Sequence, residues 1–237
     1  MQAFFQTFSS YISSENMTIL AISGGVDSMV MFDLVKHIHP KTQTIVAHFD
    51  HSLRGAESDA DRDFIANICK KENITFEVEK MDIATLAQAE KMSIEMSARK
   101  YRYAFLLRVA QQYNAHAILT AHHLDDRIET MLFNLIRGSK LTGITSLAHV
   151  SSIENMALIR PLLDVPKSEI YTYAHAHHLA FREDSTNADT TYLRNHMRQE
   201  ILPLFEKINP HYRHSLADFI GYSEEMMTYI DAQVSTW

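Results

Sequence analysis

The stretch 17–28, MTILAISGGVDS, decides how this chain folds. Its first six residues form a short run that is almost entirely apolar, and Ser23, Gly24 and Gly25 end that run. Apolar side chains then recur at helical spacing over 27–39, which predicts a helix. A short strand that turns through glycines into a helix is the basic unit of α/β proteins.

The hexapeptide 23–28, SGGVDS, has the features of a phosphate-binding loop. Two consecutive glycines let the backbone approach a ligand closely, and Ser23 and Ser28 place hydroxyl groups on both sides of them. The amides and the dipole at the start of the following helix favour an anion. The hexapeptide lacks the Gly-Lys-Ser/Thr ending of the Walker loop and the Gly-x-Gly-x-x-Gly spacing of the Rossmann fingerprint. The plain alternative is a tight turn that needs two glycines and binds nothing.

Strand-length apolar runs alternate with helical patterns before residue 138. We predict strands at 17–22, 44–49, 74–78 and 115–121 and helices at 27–39, 57–71, 95–113 and 124–137. This alternation predicts an α/β fold with a parallel sheet and helices on both faces, because parallel neighbours need crossover connections. The strands are apolar throughout rather than alternating, which indicates burial on both sides.

The pattern changes after residue 138. Residues 138–155 resemble a loop, and an apolar run at 156–163 and a helix at 167–178 follow it. Pro203 and Pro210 interrupt the final helical region. We therefore predict one α/β domain over 1–209 and a helical carboxyl-terminal extension over 210–237.

Composition excludes several classes of protein. With 46% hydrophobic residues and only 6 Gly and 5 Pro, the chain is not a disordered tail. Its single cysteine, Cys69, excludes a disulfide scaffold, a structural four-thiolate zinc site and a cysteine-ligated iron–sulfur cluster, and it fits the reducing cytoplasm. No run approaches the roughly 20 apolar residues of a membrane span. The net charge of −7 argues against a surface uniformly covered with nucleic-acid-binding charge, but it leaves room for a local basic patch.

A second polar cluster, 120–130 or TAHHLDDRIET, follows the fourth predicted strand. Asp126 and Glu129 are three residues apart, so both carboxylates share one helix face and could hold Mg²⁺ or an ammonium group. The alternative is an acid-rich first turn that only complements the helix dipole. His122 and His123 are adjacent and cannot both face one ion from a helix, which disfavours zinc.

Several weaker strings accompany these two motifs along the chain. They are 50–54 (DHSLR), 95–103 (EMSARKYRY), 137–143 (RGSKLTG), 160–163 (RPLL), 184–187 (DSTN), 192–198 (YLRNHMR) and 201–203 (ILP). Taken singly, their arginines could form ordinary solvated ion pairs.

In this order, over about residues 17–210, the strings resemble those of the tRNA(Ile)-lysidine synthetases, and SGGVDS resembles the SGGxDS signature of the PP-loop (N-type) ATP pyrophosphatases. The resemblance implies a cytoplasmic ligase with 1–209 as its catalytic domain. It would use ATP and Mg²⁺ to adenylate the wobble cytidine of tRNA(Ile) with a CAU anticodon. L-lysine would then displace AMP to form lysidine, diphosphate having left in the first step. Many members of the family continue into carboxyl-terminal tRNA-binding domains.

The resemblance also implies roles for individual residues. The phosphates of ATP would lie against Ser23, Gly24, Gly25, Val26, Asp27 and Ser28. Asp27 would coordinate Mg²⁺ or position the lysine amine, and Ala47 and His48 would frame the adenine. Arg99 and Arg102 would offset charge on the phosphates.

Two further groups of residues are expected to contact the other substrates. Asp126 and Glu129 would bind the lysine, one of them accepting its proton. Arg194 and Arg198 would contact the nucleotide or the phosphate of AMP. The basic patch for tRNA would draw on Arg137, Lys140, Arg182, Arg194, Arg198, Lys207 and Arg213.

Two positions depart from the family pattern. Arg127 stands where the family usually has Gln, and 146–147 is Ser-Leu where Gly followed by Met or Ile is common. Because Arg127 is two residues from both Asp125 and Glu129, it lies on another helix face. We predict that Arg127→Gln has little effect on catalysis.

Three other functions are compatible with part of the pattern. A PP-loop enzyme that thiolates tRNA depends on pairs of cysteines, and this chain has one. A synthetase of the GMP or NAD kind would share SGGxDS but not the HHxDD cluster. A nucleotide-binding regulatory module would have no use for the acids and arginines. Whether a second copy of the chain is a partner stays open.

Overall fold

A six-stranded sheet at the centre of the molecule confirms the predicted fold class. The computed structural model describes residues 1–53, 55–183 and 196–234, and its strands lie in the order β3-β2-β1-β4-β6-β5. Neighbouring strands are parallel except β5, which pairs antiparallel with β6. The strands are β1 (Thr18–Ala21), β2 (Thr44–Asp50), β3 (Thr75–Lys80), β4 (Ala117–Leu119), β5 (Val150–Ile153) and β6 (Met156–Ile159).

Helices connect and cover these strands. They are α1 (Gln2–Tyr11), α2 (Val26–Ile38), α3 (Ala56–Glu72), α4 (Ile83–Glu90), α5 (Ile94–Gln112), α6 (Leu124–Ile136), α7 (Leu141–Ile144), α8 (Lys167–Ala176), α9 (Leu202–Ile208) and α10 (Tyr212–Val234). A 3₁₀ turn at Lys41–Gln43 precedes β2, and a π-helical turn at Met197–Ile201 precedes α9. None of the helices that the structure describes is long and apolar enough to cross a membrane.

The central strands β1, β2 and β4 are buried on both faces, as their apolar sequences predict, whereas the edge strand β3 is partly exposed. Ile19 of β1 packs on one face with Leu106 of α5, and its neighbour Leu20 packs on the other face with Val30 of α2. Both β1 side chains are fully buried. Successive strand residues point to opposite faces, so a strand covered on both sides carries apolar side chains on both faces rather than on one.

The carboxyl ends of β1 and β4 form the crevice in which the polar motifs meet. The chain runs from β1 outward through β2 to β3 and then crosses back to β4 on the other side of β1. In open α/β sheets, ligands bind at such a switch in strand order. The loop at 23–28 leaves the end of β1, and the cluster at 120–130 leaves the adjacent end of β4.

A third apolar cluster lies beyond the sheet. Ile128 of α6, Leu202 of α9 and two residues of α10, Tyr212 and Ile220, pack together there and are buried. The first half of α10 therefore belongs to the body of the molecule. Its second half carries exposed apolar side chains, among them Met226.

Several short elements were not predicted, among them β5, α4 and α7. The strand β5 lies within 138–155, which we interpreted as a loop, because Ser151 and Ser152 interrupt its apolar character and it lies at the edge of the sheet. The helix α4 has eight residues and buries only Ile83 and Ala87, so its periodicity is weak. The capping residue Asp82, which accepts a hydrogen bond from the Thr85 N–H at 3.1 Å, was a usable signal for its start.

Candidate active site

The loop between β1 and α2 has the geometry of an anion-binding loop. Gly24 has a φ of +93°, a conformation that residues with a side chain rarely adopt. Gly25 caps α2, which begins at Val26. The first N–H groups of a helix have no partner within it, so those of α2 can bind an anion.

Ser28 holds this loop in shape from its inner side. Its buried hydroxyl accepts hydrogen bonds from the N–H groups of Ser23 (3.3 Å) and Gly24 (3.1 Å) and donates to the carbonyl of Gly25 (2.9 Å). The loop is also fixed from outside, because the Arg182 N–H donates to the Gly24 carbonyl at 3.0 Å. A ligand therefore meets a loop that is already ordered.

A cavity of about 260 Å³ opens beside the loop, at the carboxyl ends of β1 and β2. Ser23, Ala47, His48 and Arg102 line it, and all four were predicted to bind the nucleotide. The Nδ1 of His48 donates to the carbonyl of Ile22 at 2.9 Å. Burial lowers the pKa of the His48 imidazole, so the ring is a neutral wall of the cavity.

Three arginines converge beside this cavity. The guanidinium carbons of Arg99 and Arg102 lie 5.0 and 5.2 Å from the ring centre of Tyr103. Arg160, to which we assigned no role from the sequence, is buried, and its Nη1 donates to the carbonyl of Ala148 at 2.6 Å. Burial lowers the pKa of the Arg160 guanidinium.

His122 lies between these arginines and the acidic cluster. Burial lowers the pKa of its imidazole to about 3, and Arg102, Arg160 and Arg99 add to that effect while Asp126 opposes it. The ring is therefore neutral at physiological pH.

Asp126 and Glu129 lie on one face of α6, as their spacing predicts, and they share a cation. The Nε of Arg198 donates to Oε1 of Glu129 at 2.8 Å, and its Nη2 donates to Oε2 of Glu129 at 3.0 Å and to Oδ1 of Asp126 at 3.4 Å. Burial raises the pKa of Glu129, although Arg198 opposes the shift. Asp126 is also desolvated, but His123, His122, the His123 N–H and Arg198 outweigh that effect and lower its pKa.

Asp27 joins the loop to this acidic cluster. The Nζ of Lys167 lies 2.5 and 2.6 Å from the two carboxylate oxygens of Asp27. The Nε2 of His123 lies 3.8 Å from Oδ1 of Asp27 and 3.4 Å from Oδ2 of Asp126. The phosphate loop and the acid pair are thus separated by a single imidazole ring.

Asp125 fixes the neighbouring elements to α6. Its Oδ2 accepts from the Lys167 N–H at 2.8 Å, and its Oδ1 accepts from Nε of Arg213 at 2.9 Å. A second cavity of about 520 Å³ lies here, and its walls include Asp125, Glu129, Lys167, Arg198 and Arg213. Both acidic and basic side chains therefore line this second cavity, which lies next to Asp126 and Glu129.

The residues present can support Mg²⁺ only in one way. Within 1–53, 55–183 and 196–234, no group of three or more His, Cys, Asp or Glu side chains forms a metal cage. Mg²⁺ is, however, often held by one or two carboxylates together with the phosphates of a substrate. Asp27 at the start of α2 fits that arrangement.

Arg127 lies on a different face of α6 from the acid pair, as we predicted from its position. Its Nη1 donates to Oδ1 of Asp164 at 2.7 Å, and its Nη2 donates to Glu224 of α10. The side chain is buried, so this arginine ties α10 to the body of the molecule.

We expect Arg127→Gln to lower stability and leave catalysis nearly unchanged. Removing one partner of a buried ion pair costs several kcal/mol, and the partial exposure of Asp164 and Glu224 reduces the expected loss to about 2 kcal/mol. Urea unfolding measures the loss of stability. The turnover of the folded variant at low temperature shows whether catalysis is unchanged. A large fall in turnover with normal stability would show that this face of α6 acts in the reaction.

Some predicted residues lie elsewhere or cannot be placed. Arg194 lies outside the described residues. Of the predicted tRNA-binding residues, Arg198 and Arg213 line the second cavity, and Nε of Arg182 lies 2.5 Å from Oδ1 of Asp61. Lys167 was missed, since its only local signal is its position directly after Pro166 at a helix start.

Comparison with known proteins identifies the family of this chain. A family model described as the PP-loop domain matches residues 1–205. The chain belongs to this family of ATP-binding PP-loop domains.

Within this family, the chain is similar to tRNA(Ile)-lysidine synthases. The chain is 36% identical to a tRNA(Ile)-lysidine synthase of Bacteroides thetaiotaomicron over 225 residues, which are 92% of this chain and 51% of the relative. It is 34% identical to one of Thermosipho africanus over 234 residues, which are 97% of this chain and 54% of the relative. The chain therefore spans about half the length of these relatives.

Solved structures with little sequence similarity share the fold. The U34-tRNA thiolase NcsA from Methanococcus maripaludis superposes with a TM-score of 0.74 at 17% identity, covering 96% of this chain and 78% of that one. An NH₃-dependent NAD synthetase from Campylobacter jejuni gives a TM-score of 0.53 at 14% identity, covering 96% and 92%. At these identities the likeness concerns the fold alone.

Proposed function

We propose that this chain carries the catalytic domain of a tRNA(Ile)-lysidine synthetase, which joins L-lysine to the wobble cytidine of tRNA(Ile) with a CAU anticodon. The observation that supports this most is the position of His123 between Asp27 and Asp126. Because only this ring separates them, the phosphate loop and the acid pair, which suits an amine, are close enough to act on the same substrate atom. The lysidine synthases among its relatives support the same assignment.

In the first step, the cytidine carbonyl oxygen attacks the α-phosphorus of ATP, and the bond to the β-phosphate breaks. The electron pair of that bond leaves with diphosphate. The amides of the loop at 23–28 bind the departing phosphates, while the cavity beside Ala47 and His48 takes the adenosine. Arg99 and Arg102 offset the charge that develops on the phosphates, since a guanidinium can donate two parallel hydrogen bonds to phosphate oxygens.

In the second step, the lysine ε-amine attacks the activated ring carbon, and AMP leaves with its bonding electrons. The lysine ammonium loses one proton to Glu129 before it attacks, and the nitrogen releases a second proton to solvent once the C–N bond has formed. Because burial raises the pKa of Glu129, this carboxylate is a better base than an exposed glutamate. Asp126, whose pKa is lowered, stays ionised and holds the ε-ammonium of the lysine in place before the proton transfer.

Asp27 would hold Mg²⁺, which neutralises charge on the phosphates when it is bound. The substrate lysine would share or displace the guanidinium of Arg198, since both cations suit the same acid pair. We assign the reaction to the cytoplasm, the catalytic domain to residues 1–209 and a helical extension to 210–237. The first half of this extension, with Tyr212 and Ile220, packs against the catalytic domain.

A tRNA thiolase is the nearest alternative, and the environment of Cys69 disfavours it. The thiol is buried in the apolar core, and burial raises its pKa to about 12. A thiolate that forms only at such a pH cannot act as a sulfur carrier near neutral pH.

We expect Arg198→Met to move the acid limb of the pH–rate profile to higher pH. Burial already raises the pKa of Glu129, and Arg198 holds that shift back, so removing the guanidinium raises the pKa further. Glu129 is then protonated, and unable to accept a proton, up to a higher pH. The kcat/KM for lysine, measured from pH 5 to 8, tests this because it reports the protein before lysine binds. The control is Arg108→Met, which removes an arginine that pairs with Glu79. An acid limb that stays in place would contradict the role of Glu129 as base.

The proposed function is tested by separating its two steps. The protein is incubated with ATP and a tRNA(Ile) transcript, with and without lysine, and diphosphate and AMP are measured. We expect diphosphate to require tRNA but not lysine, and AMP release to require both. Diphosphate formed equally well without tRNA would favour a synthetase that acts on small molecules.

A further inference from the structure

Lys167 is a cation with no assigned role that lies beside the phosphate loop. It is the first residue of α8, and Asp27, its partner, is the second residue of α2, so the starts of two helices meet here. Its ammonium contacts both oxygens of Asp27 at 2.5 and 2.6 Å and lies 5.3 Å from the ring centre of Tyr171. Its backbone N–H donates a hydrogen bond to Asp125, which fixes the base of the side chain. The ammonium lies at the end of a flexible four-carbon stem, so it can change partners without movement of the backbone.

The loop at 23–28 itself contains no basic residue. In this it differs from the Walker loop, whose lysine contacts the β- and γ-phosphates. Apart from Arg99 and Arg102 on the side of the first cavity, only backbone amides and hydroxyls would face the several negative charges on ATP. More of that charge collects on diphosphate as the Pα–O bond breaks. A cation delivered from another part of the chain would supply what the loop lacks.

Asp27 cannot serve Lys167 and a divalent cation equally well. An ammonium 2.5 Å from a carboxylate oxygen would lie so close to Mg²⁺ on the same carboxylate that the two cations would repel strongly. When Asp27 takes up the metal carried by ATP, the ammonium of Lys167 must find another anion. Asp125 and Glu129 line the same cavity as Lys167, but Arg213 and Arg198 already pair with them. The phosphates of a nucleotide bound at the start of α2 would therefore be the anions open to the ammonium.

We propose that Lys167 is a diphosphate-binding residue, which exchanges Asp27 for the β- and γ-phosphates when ATP and Mg²⁺ bind. The proposal rests on the proposed ATP chemistry but not on the identity of the tRNA or the amino acid. In the reaction, the ammonium keeps its proton throughout and lowers the charge of the leaving group as the Pα–O bond breaks.

The test is the affinity of Lys167→Met for inorganic diphosphate, ATP and adenosine in the presence of Mg²⁺, measured by calorimetry. We expect diphosphate and ATP to bind about 10- to 100-fold more weakly, the range for a lost hydrogen bond to a charged group. Adenosine should bind as it does to the unaltered chain, and Lys167→Arg should restore most of the affinity for diphosphate. Unchanged diphosphate binding, or an equal loss for adenosine, would overturn the proposal.

Lys36→Met is the matched control. Lys36 lies on the same helix, α2, and its Nζ is 2.9 Å from Oδ1 of Asp33, with a side-chain exposure of 22% against 30% for Lys167. It therefore reports the cost of removing a partly buried lysine from an ion pair with α2. We expect a stability loss similar to that of Lys167→Met and no change in diphosphate affinity.

A second measurement distinguishes phosphate binding from a merely structural ion pair. Without nucleotide, Lys167 and a divalent cation compete for Asp27, so Lys167→Met should bind Mn²⁺ more tightly, by about threefold or more, as followed by electron paramagnetic resonance. Tighter Mn²⁺ binding combined with weaker diphosphate binding is the signature of the exchange. Weaker binding of both would indicate a damaged loop and overturn the proposal. If the two affinities change as expected and no lysidine forms, the proposed function fails and the role of Lys167 stands.

Discussion

Glu129→Gln is expected to cut lysidine formation by about 10³-fold while the adenylation step continues. The amide keeps the shape of the side chain but can neither accept the proton of the lysine amine nor offer a negative charge to it. General-base catalysis alone contributes about 10²- to 10⁴-fold. The burial of Glu129 makes the loss larger, because it limits the access of a water molecule that could act in place of the carboxylate. Single-turnover assays that follow diphosphate and lysidine separately measure the two steps.

Glu206→Gln is the control for this prediction. Glu206 borders the same cavity, pairs with Arg213 at 3.4 Å and is exposed, and it does not contact Asp126 or Glu129. Its variant should form lysidine at the rate of the unaltered chain. If Glu129→Gln also forms lysidine normally while it unfolds cooperatively, the acid pair is not the site at which the amine reacts.

Asp27→Asn is expected to abolish the first step, with a loss of about 10³-fold or more in ATP-dependent diphosphate formation. The substitution removes both the carboxylate that would hold Mg²⁺ and its negative charge. The asparagine leaves the ammonium of Lys167 without a counter-ion. We expect the loss to appear mainly in kcat at saturating Mg²⁺. Rapid-quench measurement of diphosphate with tRNA present checks it.

Asp33→Asn controls for damage to α2. Asp33 is buried on the same helix and contacts Lys36 and Tyr173, so its variant should lose stability without losing diphosphate formation. Urea unfolding of both variants shows whether their stability losses are comparable. Normal diphosphate formation by a folded Asp27→Asn would remove Asp27 from the mechanism.

The sequence predicted what depends on neighbouring residues. The loop at 23–28 was found because its glycines, its hydroxyls and the following helix are contiguous, and a φ of +93° at Gly24 confirms that one glycine is needed there. The Asp126–Glu129 pair was found because a three-residue spacing fixes a shared helix face. The fold class followed from the alternation of strands and helices, since a strand that is apolar at successive positions is buried on both faces.

Partners that the fold brings together from distant positions could not be predicted. Lys167 is 140 residues from Asp27, and Arg198 is 69 residues from Glu129, so no local pattern links them. The edge strand β5 was missed because an edge position requires little apolar character. Arg127 could be placed on its helix face, but its burial under α10 depends on how two helices pack.

The central claim is tested most directly by incorporation of radiolabelled lysine into a tRNA(Ile) transcript with a CAU anticodon, with and without ATP. A methionine tRNA with the same anticodon is the control. We predict that label appears on the isoleucine transcript alone and only with ATP. Absence of label from that transcript, in protein that binds ATP and is supplied with saturating tRNA and lysine, would contradict the proposed function.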